Sequence, residues 1–408
     1  MKIRILKRWF KRAVPGVITG AADNDPSGIA TYSISGSLFG FSQLWLMVLA
    51  TPMLIAVQSM CARLGNIQRK GLSVILREQF APWVSWVATV VLIIANVTTI
   101  GADILAVSEA FALITHIGAK VWILPVTLLV WYIVLFKNYK VLAKYFLVLI
   151  LFFFAYIIAA VLAKPDWGSV VHSIFVPRFS EFNSAYYIAA VAVLGTTITP
   201  YLFFWQVKEE IEEHKTKLEA EAEVKHEDLI NAPGFIFSQA ITLFIMIAAG
   251  ATLHQSGTQI HTALDAAQAL APVAGNGASI LFAIGIIAAG FLALPVLSAS
   301  TAYVVAETAR WKHDSLSNKV NQAKGFYAVI TLSLLAGVAM LLANIDPIKA
   351  LYYSQVLAGF LAPFLMVLLL ILCNRQRVLG QNRNGWFDNT FGTLAILVMI
   401  FAIVFIFV

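Results

Sequence analysis

The sequence predicts an all-α membrane protein whose chain crosses the bilayer in eleven helices. Hydrophobic residues make up 60% of its 408 residues and charged residues only 12%, about half the charged share that is usual in soluble domains. The mean hydropathy is +0.83, and the apolar residues fall into runs of about 20 residues, the length that spans a bilayer as a helix. A soluble protein of this size could not bury so much apolar surface, so soluble classes are excluded.

Apolar runs at eleven places define the expected spans. They cover residues 14–38, 43–62, 83–104, 121–136, 145–163, 186–205, 235–253, 278–304, 326–343, 350–373 and 391–408. The connections between them are too short for a soluble domain, so we expect one membrane domain. Residues 1–13 form a basic cytoplasmic N-terminus, which we expect to be retained because no small-residue cleavage site follows it.

The distribution of positive charge predicts the orientation of the chain. The formal net charge is +7 and the isoelectric point is about 9.3, which could suggest a nucleic-acid partner. However, 24 of the 28 Lys and Arg residues fall in the N-terminus and in every second connection, and membrane proteins collect these residues on the cytoplasmic side. We therefore expect a cytoplasmic N-terminus, an outer C-terminus, a place in the plasma membrane and no nucleic-acid partner.

The inner connection at residues 206–232 is rich in Glu, Lys and Ala and contains neither Pro nor Gly. It predicts a solvated helix supported by Glu–Lys pairs four residues apart, with a regulatory or ion-sensing role as the alternative. The two cysteines, Cys61 and Cys373, are too few for a disulfide framework or a cysteine metal cluster. We expect both to be buried thiols.

Two spans contain polar and helix-breaking residues at their centres, where such residues are costly and tend to mark function. Residues 19–28 of the first span read TGAADNDPSG, and residues 195–200 of the sixth read GTTITP. Since Pro removes an amide donor and Gly tolerates left-handed backbone, we expect both spans to unwind near the middle of the membrane. The alternatives are a surface loop for the first break and a simple Pro kink for the second.

The two breaks lie at corresponding positions of two halves of the chain. Pro26 and Pro200 are 174 residues apart and fall in the first and the sixth span. Paired interrupted spans point to the central site of a transporter built from inverted repeats. We therefore predict two inverted five-span repeats followed by one additional helix. The expected boundaries are about 14–163 and 186–373 for the repeats, 14–373 for the whole transport domain and 390–408 for the additional helix 11.

Asp25 is the strongest candidate for a binding residue. A carboxylate near the bilayer centre needs a counter-charge, and neither broken span contains Lys or Arg, so a cation from solution is the natural partner. Unwound carbonyls, the hydroxyls of Thr196 and Thr199 and an amide oxygen would complete an oxygen-rich shell, which suits Mg²⁺, Ca²⁺ or Mn²⁺. Neither break contains His or Cys, so a soft-metal site is not supported.

Three segments resemble the NRAMP (natural resistance-associated macrophage protein) family of divalent-metal transporters. Asp25-Pro26-Ser27-Gly28 resembles the Asp-Pro-Gly-Asn motif of that family's first helix, and residues 195–201 are similar to its sixth-helix motif, in which Ala and Met precede Pro-His. In the tenth span, Ser354-Gln355-Val356 and Pro363-Phe364 are similar to the family's Ser-Gln-Val and Leu-Pro-Phe elements. The resemblance covers about residues 14–373.

The resemblance implies a LeuT-like fold of two inverted five-helix repeats and assigns roles to particular residues. It makes Asp25 the metal-binding carboxylate, gives Ala22 and Thr196 the role of backbone carbonyl ligands, and makes Gln355 an amide ligand in some states. The divalent ion, Mg²⁺ or Mn²⁺, is then the transported substrate, and no cofactor is implied.

Departures from the family pattern favour a hard, hydrated ion. The family's Asn ligand falls at Gly28, which has no side chain, and its Met falls at Thr199. Loss of the thioether leaves hard oxygen ligands and a roomier cavity, which suits Mg²⁺ because this ion usually keeps several waters. These substitutions resemble those of the NRAMP-related magnesium transporter branch.

Two further departures concern proton coupling. A family histidine beyond the sixth-helix proline aligns with Gln206, which does not titrate. Asp103 could match the family's acidic position in the third span, but the residue three positions on is Ala106. We therefore expect uptake driven by the membrane potential with little or no proton coupling. The alternatives are a proton-coupled Mn²⁺ or Fe²⁺ symporter and an amino-acid carrier of the same fold, whose substrate carboxylate Asp25 would repel.

Functions outside transport have little support in the sequence. It contains no HExxH, no Gly-x-Ser-x-Gly and no P-loop motif, so neither an intramembrane enzyme nor direct ATP coupling is expected. A receptor or a purely structural membrane protein would not need two matched helix breaks. The expected partners are the divalent ion and the lipid bilayer.

Overall fold

The structure is a computed structural model of the chain. It describes residues 24–136, 153–178, 183–212, 224, 227–312, 315–316, 318–341 and 346–407. Every regular element in these ranges is a helix, and no strand occurs in them, so the predicted all-α class is confirmed. Ala22, the N-terminus at 1–13, the start of the first span and most of the 206–232 connection lie outside the described residues.

The helices are numbered here in chain order. They are α1 (Pro26–Phe39), α2 (Leu44–Gln68), α3 (Leu72–Gln79), α4 (Pro82–Thr115), α5 (Ala119–Phe136), α6 (Phe154–Leu162), α7 (Trp167–Phe175), α8 (Ser184–Thr197), α9 (Pro200–Glu212), α10 (Glu227–Ala249), α11 (Ala263–Ala267), α12 (Ala271–Ala274), α13 (Ala278–Thr308), α14 (Lys324–Leu341), α15 (Pro347–Asn374), α16 (Gln376–Leu379) and α17 (Trp386–Phe405). Helix α10 continues as a π-helical turn at Gly250–His254.

Helix occurs at each of the eleven predicted spans. Within the described ranges, eight stretches are long and apolar enough to cross a membrane, with α8 and α9 counted as one. The described parts of the other three spans are shorter: α1 has 14 residues, α6 has 9, and the apolar helix of the ninth span covers Lys324–Ala339. The count of eleven therefore stays a prediction.

Some helices extend beyond the predicted spans, and short helices occur in the connections. Helix α4 continues to Thr115, well past the expected end at 104, because residues 102–115 contain neither Pro nor Gly to stop it. The connections contain α3, α7, α11, α12 and α16, which the sequence did not predict. A window as long as a membrane span cannot detect helices of four to nine residues.

Both breaks lie beside the predicted prolines. Helix α8 ends at Thr197 and α9 begins at Pro200, so two residues between them are not helical. Helix α1 begins at Pro26, directly after the extended residue Asp25, which is its N-cap. Proline is favoured in the first helical turn because no intrahelical acceptor is lost there.

The broken helices occupy the centre of the bundle. Helix α1 packs against α8, α10 and α15, while α4 packs against α13, α14 and α15. Small residues allow close helix contacts, as in other membrane bundles: a Cβ on Gly101 of α4 would lie only 3.0 Å from the Gly337 carbonyl oxygen of α14. The polar residues of both breaks are thereby enclosed by protein rather than lipid.

Candidate metal centre

The first break presents the carboxyl group of Asp25. Its Oδ1 accepts a hydrogen bond of 2.5 Å from the Gly28 amide in the first turn of α1. The residue is wholly buried, and its Oδ2 has no hydrogen-bond partner among the described residues. Because a buried carboxylate oxygen without a donor is costly, this atom favours a positively charged ligand.

The second break offers neutral oxygen atoms. In a continuous helix the Thr196 carbonyl would accept from the amide of residue 200, but Pro200 has no N–H. The hydroxyls of Thr196 and Thr199 are buried and lack hydrogen-bond partners within the described ranges. The hydroxyl of Thr197, between them, lies 3.0 Å from the Tyr32 hydroxyl of α1, so the two broken helices are in contact.

Gln355 reaches this region from α15, which packs closely on α8. A Cβ on Gly195 would lie 2.3 Å from the Gln355 carbonyl oxygen, so only glycine permits this approach. The side-chain amide of Gln355 is 1% exposed, and neither of its polar atoms finds a partner in the part of the chain that the structure describes. The preceding residue, Ser354, places its hydroxyl 3.5 Å from that of Ser27 in α1. Helix α15 therefore contacts both broken helices at this level.

A second carboxylate, that of Asp103, lies against the first break. Its Oδ1 accepts two hydrogen bonds from Ser27, one of 3.1 Å from the amide and one of 2.6 Å from the hydroxyl. Asp103 is wholly buried, and Asp25 is near enough for the two carboxylates to interact electrostatically. The sequence suggested Asp103 only as a coupling residue. No sequence signal connected it with Ser27, which is 76 positions away.

The other predicted residues take different places. Gly28 contributes its amide to the N-cap and has no side chain to offer. Asn24 donates to the Ser238 hydroxyl at 2.9 Å, so α10, which the sequence did not link to the site, holds the first break. Gln206 lies in α9, about 10 Å along the chain from Thr199 at 1.5 Å per residue, and donates to Glu210 at 2.9 Å.

The donor set is poor in charged ligands. The described ranges contain no group of three or more His, Cys, Asp or Glu side chains that could hold a metal ion. What the breaks offer is one N-cap carboxylate, a second carboxylate beside it, two hydroxyls, a freed carbonyl and an amide. A set dominated by neutral oxygens suits a hard cation that keeps part of its water.

Comparison with known proteins identifies the family. The family model described as natural resistance-associated macrophage protein-like (Nramp) matches residues 16–408. The chain belongs to the Nramp family. The resemblance that the three sequence motifs indicated is thereby confirmed.

Relatives of this Nramp chain include three curated bacterial proteins, each named divalent metal cation transporter MntH. The protein from Deinococcus radiodurans is 28% identical over 387 residues, covering 90% of this chain and 82% of the relative. The protein from Yersinia pestis is 24% identical over 396 residues, covering 95% and 92%. The protein from Caldanaerobacter subterraneus is 24% identical over 398 residues, covering 95% and 90%.

Solved structures share the fold of this Nramp chain. A crystal structure of a mutant Eremococcus coleocola manganese transporter superposes with a TM-score of 0.81 at 16% identity, covering 97% of this chain and 86% of that one. Mhp1, a nucleobase-cation-symport-1 family transporter in a closed conformation, gives a TM-score of 0.63 at 14% identity, covering 97% and 92%. The predicted LeuT-like fold is confirmed. This Nramp chain is a multi-pass membrane transporter and not an enzyme.

Proposed function

We propose that this Nramp protein carries divalent metal cations, Mg²⁺ and Mn²⁺, across the membrane by alternating access, with little or no accompanying proton movement. The proposal rests on the burial and the hydrogen bonding of Asp25. This carboxylate is wholly buried at the first break, and its Oδ2 meets no hydrogen-bond donor among the described residues. A mobile cation is the counter-charge that such a group needs.

The donor chemistry supports a hard cation. The unpartnered hydroxyls of Thr196 and Thr199 and the amide of Gln355 are neutral oxygen donors, and hard oxygen ligands suit Mg²⁺ and Mn²⁺. The names of the bacterial relatives, divalent metal cation transporter MntH, agree with a divalent substrate. Carried over from the resemblance, the ligand set is Asp25, the carbonyls of Ala22 and Thr196, and the Gln355 amide, with Thr199 in place of the family's Met.

Small residues at two ligand positions favour an ion that stays partly hydrated. Gly28 has no side chain and Thr199 is shorter than methionine, so the site is wider than the family motif implies. Mg²⁺ dehydrates reluctantly and usually keeps several waters. We therefore propose that the chain belongs to the magnesium-transporting branch of the family.

The energy source that we propose is the membrane potential. A divalent ion crossing the whole potential gains roughly 4.6 kcal/mol per 100 mV, twice the single-charge value. Gln206, which takes the place of a family histidine, cannot accept a proton at neutral pH and donates instead to Glu210. Cation accumulation then needs no proton gradient.

The excess of Lys and Arg in the N-terminus and in every second connection supports a place in the plasma membrane with the N-terminus inside and the C-terminus outside. Fusing a reporter that is active on only one side of the membrane to each terminus would test this orientation. A reporter active only in the cytoplasm should work at the N-terminus and fail at the C-terminus. The reverse pattern would contradict the assignment.

A flux assay tests the transport proposal. Purified protein in liposomes, with an internal metal indicator and a pH dye, should take up both Mn²⁺ and Mg²⁺ when an inside-negative potential is imposed, while internal pH stays nearly constant. Asp25→Ala should abolish uptake. Asp346→Ala is the matched control, because Asp346 caps α15 at the surface through the Lys349 amide and should leave the flux unchanged.

Two outcomes would decide for other functions. Strict preference for Mn²⁺ over excess Mg²⁺ together with acidification tied to uptake would favour a proton-coupled symporter. Amino-acid counterflow with no divalent-ion flux would favour an organic-substrate carrier of the same fold. Metal uptake that Asp25→Ala leaves intact would place the site elsewhere in the molecule.

A further inference from the structure

The first turn of α1 is capped by two different carboxylates. Pro26 has no N–H, the Gly28 amide donates to Asp25 Oδ1, and the Ser27 amide donates to Asp103 Oδ1. The next amide, that of Ile29, returns to the Asp25 carbonyl as in a regular helix. Every amide donor of this turn therefore has an acceptor, and one of the two capping carboxylates comes from another helix, α4.

The two carboxylate oxygens of Asp103 differ in their hydrogen bonding. Oδ1 takes both hydrogen bonds from Ser27, while Oδ2 has no hydrogen-bond partner in the described part of the chain. The side chain is wholly buried. Neither α4 nor the two broken spans contain Lys or Arg, so these helices bring no fixed positive charge to Asp103. Holding a buried carboxylate with neutral donors alone is costly.

The buried Asp103 carboxylate lies next to the proposed cation site, so a cation bound there would reduce the cost of burying it. Ser27 lies two residues from Asp25, and both carboxylates face the positive end of the α1 dipole. Both carboxylates accept amides of the same first turn of α1, and the Oδ2 atom of each has no hydrogen-bond partner among the described residues. Two buried negative charges at one helix end match the charge of one divalent ion, and they exceed the charge of a monovalent one.

We propose that Asp103 is a positioning residue of the cation site, which anchors the broken end of α1 through Ser27 and supplies the second negative charge that makes the site prefer divalent over monovalent cations. This inference rests on the proposed function. Helix α4 provides a fixed carboxylate, and the Ser27 hydroxyl is the link that keeps Asp25 at the correct distance from it. The charge of Asp103 sets the affinity for the divalent ion, and its hydrogen bond with Ser27 sets the position of Asp25.

Three variants separate the charge from the link. Asp103→Asn keeps an acceptor for Ser27 but removes the charge, Asp103→Glu keeps the charge on a longer side chain, and Ser27→Ala removes the hydroxyl bond but keeps the amide bond. Glu109→Gln is the matched control for charge, because it lies on the same helix and nearer its outer end. Ser108→Ala is the control for a hydroxyl, since Ser108 bonds only within α4, to the Ile104 carbonyl, among the described contacts.

The experiment measures KM and maximal rate for Mg²⁺ and Mn²⁺ uptake in liposomes, with Na⁺ as competitor. Asp103→Asn should raise KM about tenfold or more with maximal rate changed less than about threefold, since it removes binding charge, and Na⁺ should now compete. Asp103→Glu should recover most of the affinity. Ser27→Ala should raise KM about threefold, and the double variant Ser27→Ala with Asp103→Asn should be little worse than Asp103→Asn alone.

The outcomes distinguish this inference from the proposed function. If the wild-type protein carries no divalent ion, the proposed function fails and this inference fails with it. If the wild type transports and Asp103→Asn keeps its KM and its indifference to Na⁺, only the role of Asp103 is wrong. Should Asp103→Asn fail to fold, Ser27→Ala decides: an unchanged KM in that variant would overturn the proposal.

Discussion

Two buried polar regions of this protein differ in how their charges are satisfied. At the breaks, Asp25 and Asp103 are wholly buried, and their described hydrogen bonds come from neutral groups of α1. Near the C-terminal ends of α9 and α13, Lys208 lies 3.4 Å from Glu307, with side chains 8% and 3% exposed. The described contacts at the breaks give these carboxylates no fixed counter-charge, whereas Glu307 has one in Lys208.

The C-terminal ends of α2, α9 and α13 show what a structural polar cluster looks like in the same bundle. Asn66 of α2 and Gln206 of α9 both donate to the Glu210 carboxylate, at 3.0 and 2.9 Å. Arg63 forms a buried ion pair of 2.9 Å with Asp388 at the start of α17. The buried cations Arg63 and Lys208 each have a carboxylate partner fixed in the fold, so these ion pairs hold helices together.

Buried charges that serve function and buried charges that serve stability differ in whether the fold supplies a counter-charge. A buried charge with a fixed partner stabilises one arrangement, and removing that partner is strongly destabilising. A buried carboxylate that accepts hydrogen bonds only from neutral donors lacks a counter-charge. A mobile cation can supply this charge and then dissociate. If the breaks form the proposed transport site and the ion pairs at the helix ends belong to the scaffold, substitutions in the two regions should have different signatures.

The largest effect is expected at Asp25. Asp25→Ala should reduce Mn²⁺ and Mg²⁺ uptake to background, because the site loses the carboxylate that faces the cation, while the melting temperature in detergent should hold or rise, since an unmet buried charge is removed. Paired flux and thermal-melting measurements check this. A large loss of melting temperature would show that Asp25 belongs with the structural pairs.

The opposite signature is expected at Glu307. Glu307→Gln removes the carboxylate charge that lies 3.4 Å from the buried Lys208, so the free energy of unfolding should fall by about 3–5 kcal/mol. Thermal or denaturant unfolding of the purified protein measures the loss. The exposed pair between Lys70 and Glu78, whose side chains are 47% and 41% exposed, provides the control: Lys70→Met should change stability by less than about 1 kcal/mol. Equal losses in both variants would contradict the contrast.

A smaller effect on both properties is expected at Gly195, where α8 meets α15. A Cβ there would lie 2.3 Å from the Gln355 carbonyl oxygen, so Gly195→Ala should push the helices apart and cost about 1–3 kcal/mol. Transport should fall further, because Gln355 would be displaced from the second break. Gly285→Ala is the control, since no atom lies within 4 Å of a Cβ at Gly285, and it should behave like the wild type.

The smallest effect is expected at Thr199 and concerns selectivity. Thr199→Met introduces a soft thioether in place of a hydroxyl, so the ratio of KM for Mg²⁺ to KM for Mn²⁺ should rise by about tenfold or less, at little cost in stability. Competition between the two ions in liposomes measures the ratio. Thr98→Met makes the same substitution in α4, where the Thr98 hydroxyl bonds to the Ile94 carbonyl, and should leave the ratio unchanged.

Much of the fold and part of the site could be predicted because their causes are local. Proline lacks an N–H wherever it stands, so the break at Pro200 and the start of α1 at Pro26 follow from single residues. Apolar runs of bilayer length predict spans for the same reason. The short helices α3 and α7 escaped prediction because their limits depend on caps and packing rather than on hydropathy.

The rest of the site depends on contacts between distant residues. The bonds from Ser27 to Asp103 and from Asn24 to Ser238 join residues 76 and 214 positions apart. Gln206 was considered for its place in the family pattern, yet its contact with Glu210 places it in the polar cluster at the C-terminal ends of α2 and α9. No local pattern encodes such pairings, since they arise only when the helices pack.

Local features of the sequence were enough to predict a helical membrane protein with two broken helices and a carboxylate, Asp25, at the first break. These features follow from hydropathy and from the covalent chemistry of proline, which act within a few residues. Which buried charges have fixed partners depends on the tertiary packing. Helix packing pairs Lys208 with Glu307 and leaves Asp25 and Asp103 with neutral donors, and that choice depends on which helix faces meet.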